Sequence, residues 1–279
     1  MRVLAIDTAL AACAAAVLDT DHGIVASETL PMVRGHAEAL IPLIARVMKR
    51  SDMTFRDLGR IAVTTGPGSF TGVRVGLAAA RGFGVATGIP VVGVSTLSVY
   101  AAPYLAGNGK APVVAAIDAR HDHVFLQVFG PGGQTVVGPR LARLSEAIRA
   151  ASAAPAYLVG SAARALAQGF AKNAALPRAV DPRDAPDIVW VAQIGAVTPQ
   201  AQSAPNPQYL RAPDAQPQNA AQLPRRCCGS YHASLVAKGR PLPKPARPTL
   251  RQLQHCTACR FGAAGAKMKF CGCCSSVMW

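Results

Sequence analysis

The chain opens with four consecutive apolar positions, Val3 to Ile6, that stop at Asp7. This pattern predicts a buried strand over 2–6. Two further strands are predicted at 11–18 and 24–30, although the alanines of the first are poor strand formers. Asp21-His22-Gly23 between them has hairpin-turn chemistry, so the chain begins as an antiparallel meander. The period then changes. Leu40, Leu43, Ile44, Val47 and Met48 repeat at helical spacing and predict a helix over 36–50. Lys49 and Arg50 sit in its last turn, where the helix dipole favours cations. Pro42 predicts a kink or a later helix start. Thr54 can cap a short helix through Leu58. A strand at 60–65, a helix over about 73–87, a strand at 89–94 and a helix from Ser95 or Thr96 to about 105 complete the first half.

The second half repeats the scheme. Strands are predicted at 112–118, 123–129 and 134–139, with Gly130-Pro131-Gly132-Gly133 as a turn. A helix near 144–151, a strand at 156–159 and helices at 161–169 and 187–197 follow. Each half therefore reads as a strand ending in Asp, a meander, then alternating helix and strand. The pattern fails from about 199, where prolines recur, and residues 241–248 read as an extended linker.

Composition divides the chain differently. It has 279 residues, 29 Lys and Arg, 14 Asp and Glu, and eight Cys. Residues 1–224 carry 19 basic and 14 acidic residues; residues 225–279 carry 10 basic and none acidic. Seven cysteines lie in that last stretch, leaving Cys13 alone. No apolar run approaches the ~18 residues of a spanning helix, and Asp7 interrupts any secretory leader. The expected compartment is the cytoplasm. In the tail, Cys256-x2-Cys259 and Cys271-x2-Cys274 have zinc-ribbon spacing, while Cys227, Cys228 and Cys273 are left over. The absence of acids fits a disordered or frameshifted end. Both readings stay open, and zinc is not assigned.

Candidate chemistry centres on Gly66-Pro67-Gly68-Ser69-Phe70-Thr71-Gly72, between a strand and a helix. Such a loop can offer backbone N–H groups to an anion. It lacks the Lys of a Walker A loop and the third glycine of a dinucleotide fingerprint. The alternative is a tight connection that needs positive φ. His121 and His123 are expected on one face of a strand and Asp122 on the other, so no metal site is assigned there. Ser69 has no His/Asp partner visible in sequence, and no catalytic residue is assigned.

Thr65 to Leu77 closely resembles the signature of the bacterial TsaB family, also called YeaZ. Leu4-Ala5-Ile6-Asp7-Thr8 is similar to its first strand, and His36-Ala37-Glu38 with Leu40 to Ile44 to its first long helix. Ile117-Asp118-Ala119-Arg120 and Tyr209-Leu210-Arg211 resemble later segments. The resemblance covers about residues 1–215. It implies an α/β protein of the ASKHA (actin-like) fold with mixed sheets in two RNase H-like lobes, at 1–105 and 106–215, followed by an atypical Pro/Cys-rich basic tail at 216–279. It implies a non-catalytic subunit that dimerises with TsaD, works with TsaE, and serves threonylcarbamoyl transfer to N6 of adenosine 37 in tRNAs reading ANN codons. tRNA is met through the complex, and the chain alone can homodimerise.

The implied TsaD interface lies on the helices at 36–50 and 73–87, through Leu40, Leu43, Ile44, Val47, Arg74, Leu77, Ala78 and Arg81. The residues agree with a non-catalytic role. His36 is followed four positions later by Leu40, where a metal-binding helix would carry a second His. The turns Asp7-Thr8-Ala9 and Asp118-Ala119-Arg120 lack the glycine that lets a backbone approach phosphate. No cofactor is expected beyond weak ATP or ADP binding. The alternative is an ATP-using ASKHA-fold phosphoryl or carbamoyl transferase.

Overall fold

The computed structural model describes residues 1–107, 110–172, 174–201 and 203–211. All of them belong to one compact unit, Met1–Gln216. The basic tail and its cysteine pairs lie outside the described residues.

Strands β1 (Arg2–Asp7), β2 (Ala12–Asp19) and β3 (Gly23–Pro31) form the meander, and β4 (Arg60–Gly66) and β5 (Val91–Ser95) add parallel strands on the other side of β1. The sheet order is β3-β2-β1-β4-β5. A second sheet holds β6 (Val113–Asp118), β7 (His123–Phe129), β8 (Thr135–Arg143), β9 (Tyr157–Val159) and β10 (Ala179–Asp181) in the order β10-β9-β6-β7-β8. Counted from its own first strand, each sheet has the same order and the same mixture of antiparallel and parallel neighbours. The repeated organisation legible in the sequence is thus a repeated topology. The short edge strand β10 escapes sequence analysis because three residues carry too little periodicity.

Helices α1 (His36–Arg50) and α2 (Phe70–Thr87) cover one face of the first sheet. Leu40, Leu43, Ile44 and Val47 of α1 and Val73, Leu77 and Ala80 of α2 meet Leu4, Ile6, Ala15, Val17, Ile61 and Val63. α1 begins at His36, ahead of Pro42, which falls on the exposed side. A short 3-10 turn, Phe55–Asp57, follows α1 with Thr54 at its N-cap position; among the described residues the Thr54 hydroxyl accepts no backbone N–H, and its N–H and O–H donate to the Asp57 carboxylate at 2.7 and 2.8 Å instead. The opposite face is covered by α6 (Ile188–Val197), whose Ile188, Val191 and Ala192 pack on Val3, Ala5, Ala14, Ala62 and Val92. Burial on both faces explains why β2 tolerates four alanines: small side chains let two helical layers approach one strand. α6 lies in the span expected for the second lobe, yet it packs on the first sheet.

α3 (Thr96–Ala106) covers one face of the second sheet, and α4 (Leu144–Ala151) and α5 (Ala163–Gln168) cover the other. Strand β7 alternates between them. Val124, Leu126 and Val128 face α4 and α5, while Phe125 and Phe129 face α3. Among the described residues, no helix is long and apolar enough to cross a membrane.

Leu43 is fully buried beneath α1. Leu43→Ala is expected to cost about 2–5 kcal/mol, the usual range for such a cavity. Urea unfolding measures it, and a loss below about 1 kcal/mol would contradict this packing.

Candidate functional site

β1 delivers Asp7 to the centre of the first sheet with no exposed surface. Its Oδ1 accepts hydrogen bonds from the Thr64 hydroxyl at 2.6 Å and the Ala9 N–H at 3.1 Å. Its Oδ2 has no hydrogen-bond partner among the described residues. Burial pushes the Asp7 carboxyl up to about 6, against the opposing pull of those two donors and of nearby His36. His36 opens α1 and sets Nε2 3.0 Å from the Leu10 carbonyl. It anchors the helix to the β1–β2 turn.

The glycine-rich motif grips that same turn. The Ser69 N–H donates to the Ala9 carbonyl at 2.7 Å, and the Thr8 hydroxyl donates to the Gly72 carbonyl at 2.7 Å. A Cβ on Gly68 would lie 2.3 Å from the Ala9 oxygen, and one on Gly72 would lie 2.1 Å from the Thr8 oxygen. Both are far inside van der Waals contact, so only glycine fits. Gly66 alone in the motif has positive φ, at +97°. The tight-connection reading of the loop therefore rests on Gly66 for its positive φ, while Gly68 and Gly72 serve close approach. Phe70, Thr71 and Gly72, expected in the loop, form the first turn of α2 instead. The helix starts early because the Ser69 hydroxyl caps it, accepting from the Gly72 N–H at 3.3 Å. Two of the loop's donors are therefore spent inside the chain rather than offered to an anion.

Asp118 is the topological counterpart of Asp7, but it is exposed, and its Oδ1 accepts from the Arg120 N–H at 2.8 Å. Arg120, His121 and Asp122 all have positive φ, at +62°, +51° and +58°. They form the β6–β7 turn, which corrects the expectation that His121 and Asp122 alternate on a strand. Only His123 enters β7. Among the described residues, no three His, Cys, Asp or Glu side chains converge on one point.

A cleft of about 520 Å³ separates the two turns. Leu10, His36 and Pro67 to Phe70 line one wall, and Asp118 to Arg120 with Ser161 the other. The segment 205–211 runs along it. Its Gln208 N–H donates to the Thr65 carbonyl at 2.8 Å, and Arg211 donates to the Ala119 carbonyl at 2.8 Å. Arg74 lies 3.7 Å over the Phe70 ring and donates from Nε to the Tyr209 hydroxyl at 2.6 Å. Phe70 and Tyr209 are themselves in tilted contact. Arg81 holds the Pro205 carbonyl and the Asn206 side chain. Tyr209-Leu210-Arg211 stands out in the sequence but its partners do not, because the contacts join positions more than ninety residues apart.

The residues expected to form an interface divide sharply. Leu40, Leu43, Ile44, Val47 and Leu77 are buried in the core of this chain and offer no surface. The apolar stripe of α1 is consumed by the sheet, which is the correction. Arg74 and Ala78 are exposed, and Arg81 is half-buried under residues 205–206. The outward faces carry other residues. On α1 these include Ala37, Ile41 and Ala45, and on α2 Ala78, Gly82, Val85 and Ala86. Ala37, Ile41 and Ala45 recur every fourth residue, as do Ala78, Gly82 and Ala86. Such ridges were visible in the sequence but are overshadowed by the stronger leucine stripe.

Asp7 holds its proton more tightly in the folded chain than its ordinary value of 3.8 allows. Below about pH 4 both states are protonated. As pH rises towards about 6 the unfolded chain releases its proton first, so stability falls across that window by about 3 kcal/mol and then levels off. Asp7→Asn keeps an Oδ1 acceptor for Thr64 and Ala9, and it is expected to flatten the decline in urea titrations between pH 4 and 7. An unchanged decline would contradict this origin.

Comparison with known proteins places the arrangement. A family model described as TsaD: tRNA N6-adenosine threonylcarbamoyltransferase matches residues 23–217. The tRNA threonylcarbamoyladenosine biosynthesis protein TsaB of Escherichia coli (strain K12) is 38% identical over 125 residues, which is 45% of this chain and 53% of that protein. The chain thus spans about half the length of that curated relative. An uncharacterized protein of Mycobacterium tuberculosis (strain H37Rv) is 34% identical over 217 residues, covering 77% of this chain and 94% of that one. The solved structure of YeaZ from Pseudomonas aeruginosa aligns with a TM-score of 0.64 at 25% identity, over 75% of this chain and 99% of that one. With the family model matching well over half of the chain and YeaZ aligned over three quarters of it, the chain belongs to the tRNA N6-adenosine threonylcarbamoyltransferase (TsaD) family, as a TsaB/YeaZ-like member.

Proposed function

We propose that the chain is a non-catalytic subunit of the machinery that makes threonylcarbamoyladenosine in tRNA. In this reading it dimerises with TsaD, works with TsaE, and supports threonylcarbamoyl transfer to N6 of adenosine 37 in tRNAs reading ANN codons. Alone, it can pair with a second copy. The observation that carries the reading is the outward face of α1 and α2. It presents small residues in two ridges, with Ile41 about half exposed and Val85 almost fully exposed. Small side chains let partner helices approach closely, and the apolar area is what an interface core requires. The homologous family model supports a TsaD-like partner, since related subunits of this architecture can pack corresponding helices. The two sheets of equal strand order support an ASKHA-type pair of RNase H-like lobes.

The Thr8–Ala9 turn supports the non-catalytic reading. Where an ATP-using member would bring a glycine backbone to phosphate, this chain sets Thr8 and Ala9 under its own Gly68 and Gly72. The second reading, an ATP-using phosphoryl or carbamoyl transferase, has the cleft between the sheets in its favour. Calorimetry with ATP and magnesium separates the two. Affinity of millimolar or weaker is expected, and micromolar binding with turnover would favour the enzyme.

The subunit reading is tested by co-purifying the chain with TsaD of the same organism. A one-to-one complex is expected. Ile41→Asp with Ala78→Asp should abolish it while leaving the melting temperature within a few degrees, because both positions are exposed. Retention of the complex by the double variant would contradict this interface.

A further inference from the structure

Between residues 123 and 180 the chain carries six basic residues, Arg140, Arg143, Arg149, Arg164, Lys172 and Arg178, against one acid, Glu146. Residues 1–106 carry nine basic and seven acidic residues and residues 107–187 nine and six, so the distinction is local: the other acids of the second half lie before residue 123 and from Asp181 on. All six cations are exposed. None takes part in a salt bridge among the described residues, whereas the first sheet pairs Arg2 with Asp19 and Arg46 and Arg50 with Glu28. The excess charge is left to solvent.

The fold places most of these residues around one layer of the second sheet; Arg143, opposite His123 in the register, turns to the other face. α4 and α5 cover the same face of the second sheet, packing through Ala147, Ala151, Ala163 and Leu166. Arg149 and Arg164 lie on the exposed sides of those helices, and Lys172 follows α5. The end of α5 is held against α4: a Cβ on Gly169 would meet the Ile148 side chain at 2.2 Å. Arg178 and Arg140 flank the layer at opposite sheet edges, next to β10 and within β8. At the usual strand spacing those edges are roughly 19 Å apart. The layer therefore sets cations across a surface that can face several successive phosphates.

We infer that the α4/α5 layer is a docking surface for the sugar–phosphate backbone of RNA. The occupant follows from charge complementarity: a nearly acid-free set of arginines and one lysine, spread over a layer, suits a polyanion of repeating phosphates. It is separate from the α1/α2 face, which lies on the other sheet. The inference rests on the reading that the chain serves a tRNA-modifying assembly, and it adds direct contact by this subunit. A phosphate surface of this kind confers affinity and register without reading bases.

The test uses the full chain and fluorescently labelled unmodified tRNA, followed by anisotropy from 50 to 300 mM salt. Arg149→Glu, Arg164→Glu and Lys172→Glu together are expected to weaken binding at least tenfold at about 100 mM salt. The slope of log affinity against log salt should shrink by about 2–3, one unit or slightly less per lost contact. A matched reversal on the first sheet, Arg34→Glu, Lys49→Glu and Arg56→Glu, is expected to weaken binding less than threefold. Equal losses in the two variants would overturn the proposal, since net charge alone would then explain binding. Unchanged affinity in the α4/α5 variant would also overturn it, placing RNA elsewhere on the chain. Binding to phosphatidylserine vesicles with none to tRNA would overturn it in favour of a membrane surface. Co-purification with TsaD is read separately, so loss of RNA binding with the complex retained removes this surface but not the subunit reading.

Discussion

The contact between the Thr8–Ala9 turn and the glycines of the motif organises this molecule. Gly68 and Gly72 come so close to the Thr8 and Ala9 oxygens that a single methyl group on either would not fit. That contact joins the end of β1 to the start of α2, and His36 ties α1 to the neighbouring Leu10 carbonyl. The two helices are thereby fixed at one end of the first sheet. The buried Asp7 carboxylate lies beneath the same turn, linking β1 to β4 through Thr64. Its desolvation is unfavourable at neutral pH. The hydrogen bonds around it offset only part of that cost, which is how a structural carboxylate acquires a raised pKa.

The same close packing shapes function. A loop of this composition can cradle phosphate, yet here its Ser69 N–H and its closest surfaces are occupied by the chain itself. The motif therefore works through shape, by holding α2 against the sheet. The Arg74, Phe70 and Tyr209 cluster extends this hold to residues 205–211, which continue to the Ala119 carbonyl on the second sheet. One continuous chain of contacts thus runs from α2 to the β6–β7 turn.

Much of the architecture was legible in the sequence. The α1 stripe and the repeated meander depend on local period and local chemistry, and each of these elements lies within a few residues of its expected place. What local pattern does not show is which partner an apolar face takes. Leu40, Leu43, Ile44 and Val47 fit an interface as well as a core, and the sheet beneath them decides for the core. α6 is similar: its apolar residues are plain in the sequence, but its packing across to the first sheet is a long-range fact. The exposed ridges at Ala37, Ile41 and Ala45 and at Ala78, Gly82 and Ala86 carry weak hydrophobic signal because they are small. That same smallness is what close helix approach requires.

The central claim is that the outward face of α1 and α2 meets the partner. Hydroxyl-radical footprinting of the chain alone and in a one-to-one mixture with TsaD, read by mass spectrometry at single residues, tests it most directly. Ile41 and Val85 are exposed in the isolated chain, as are Val136 and Leu176 on the second sheet's side. The account predicts that oxidation of Ile41 and Val85 falls several-fold in the complex while Val136 and Leu176 are unaffected. Protection of Val136 and Leu176 with Ile41 and Val85 still fully oxidised would contradict it.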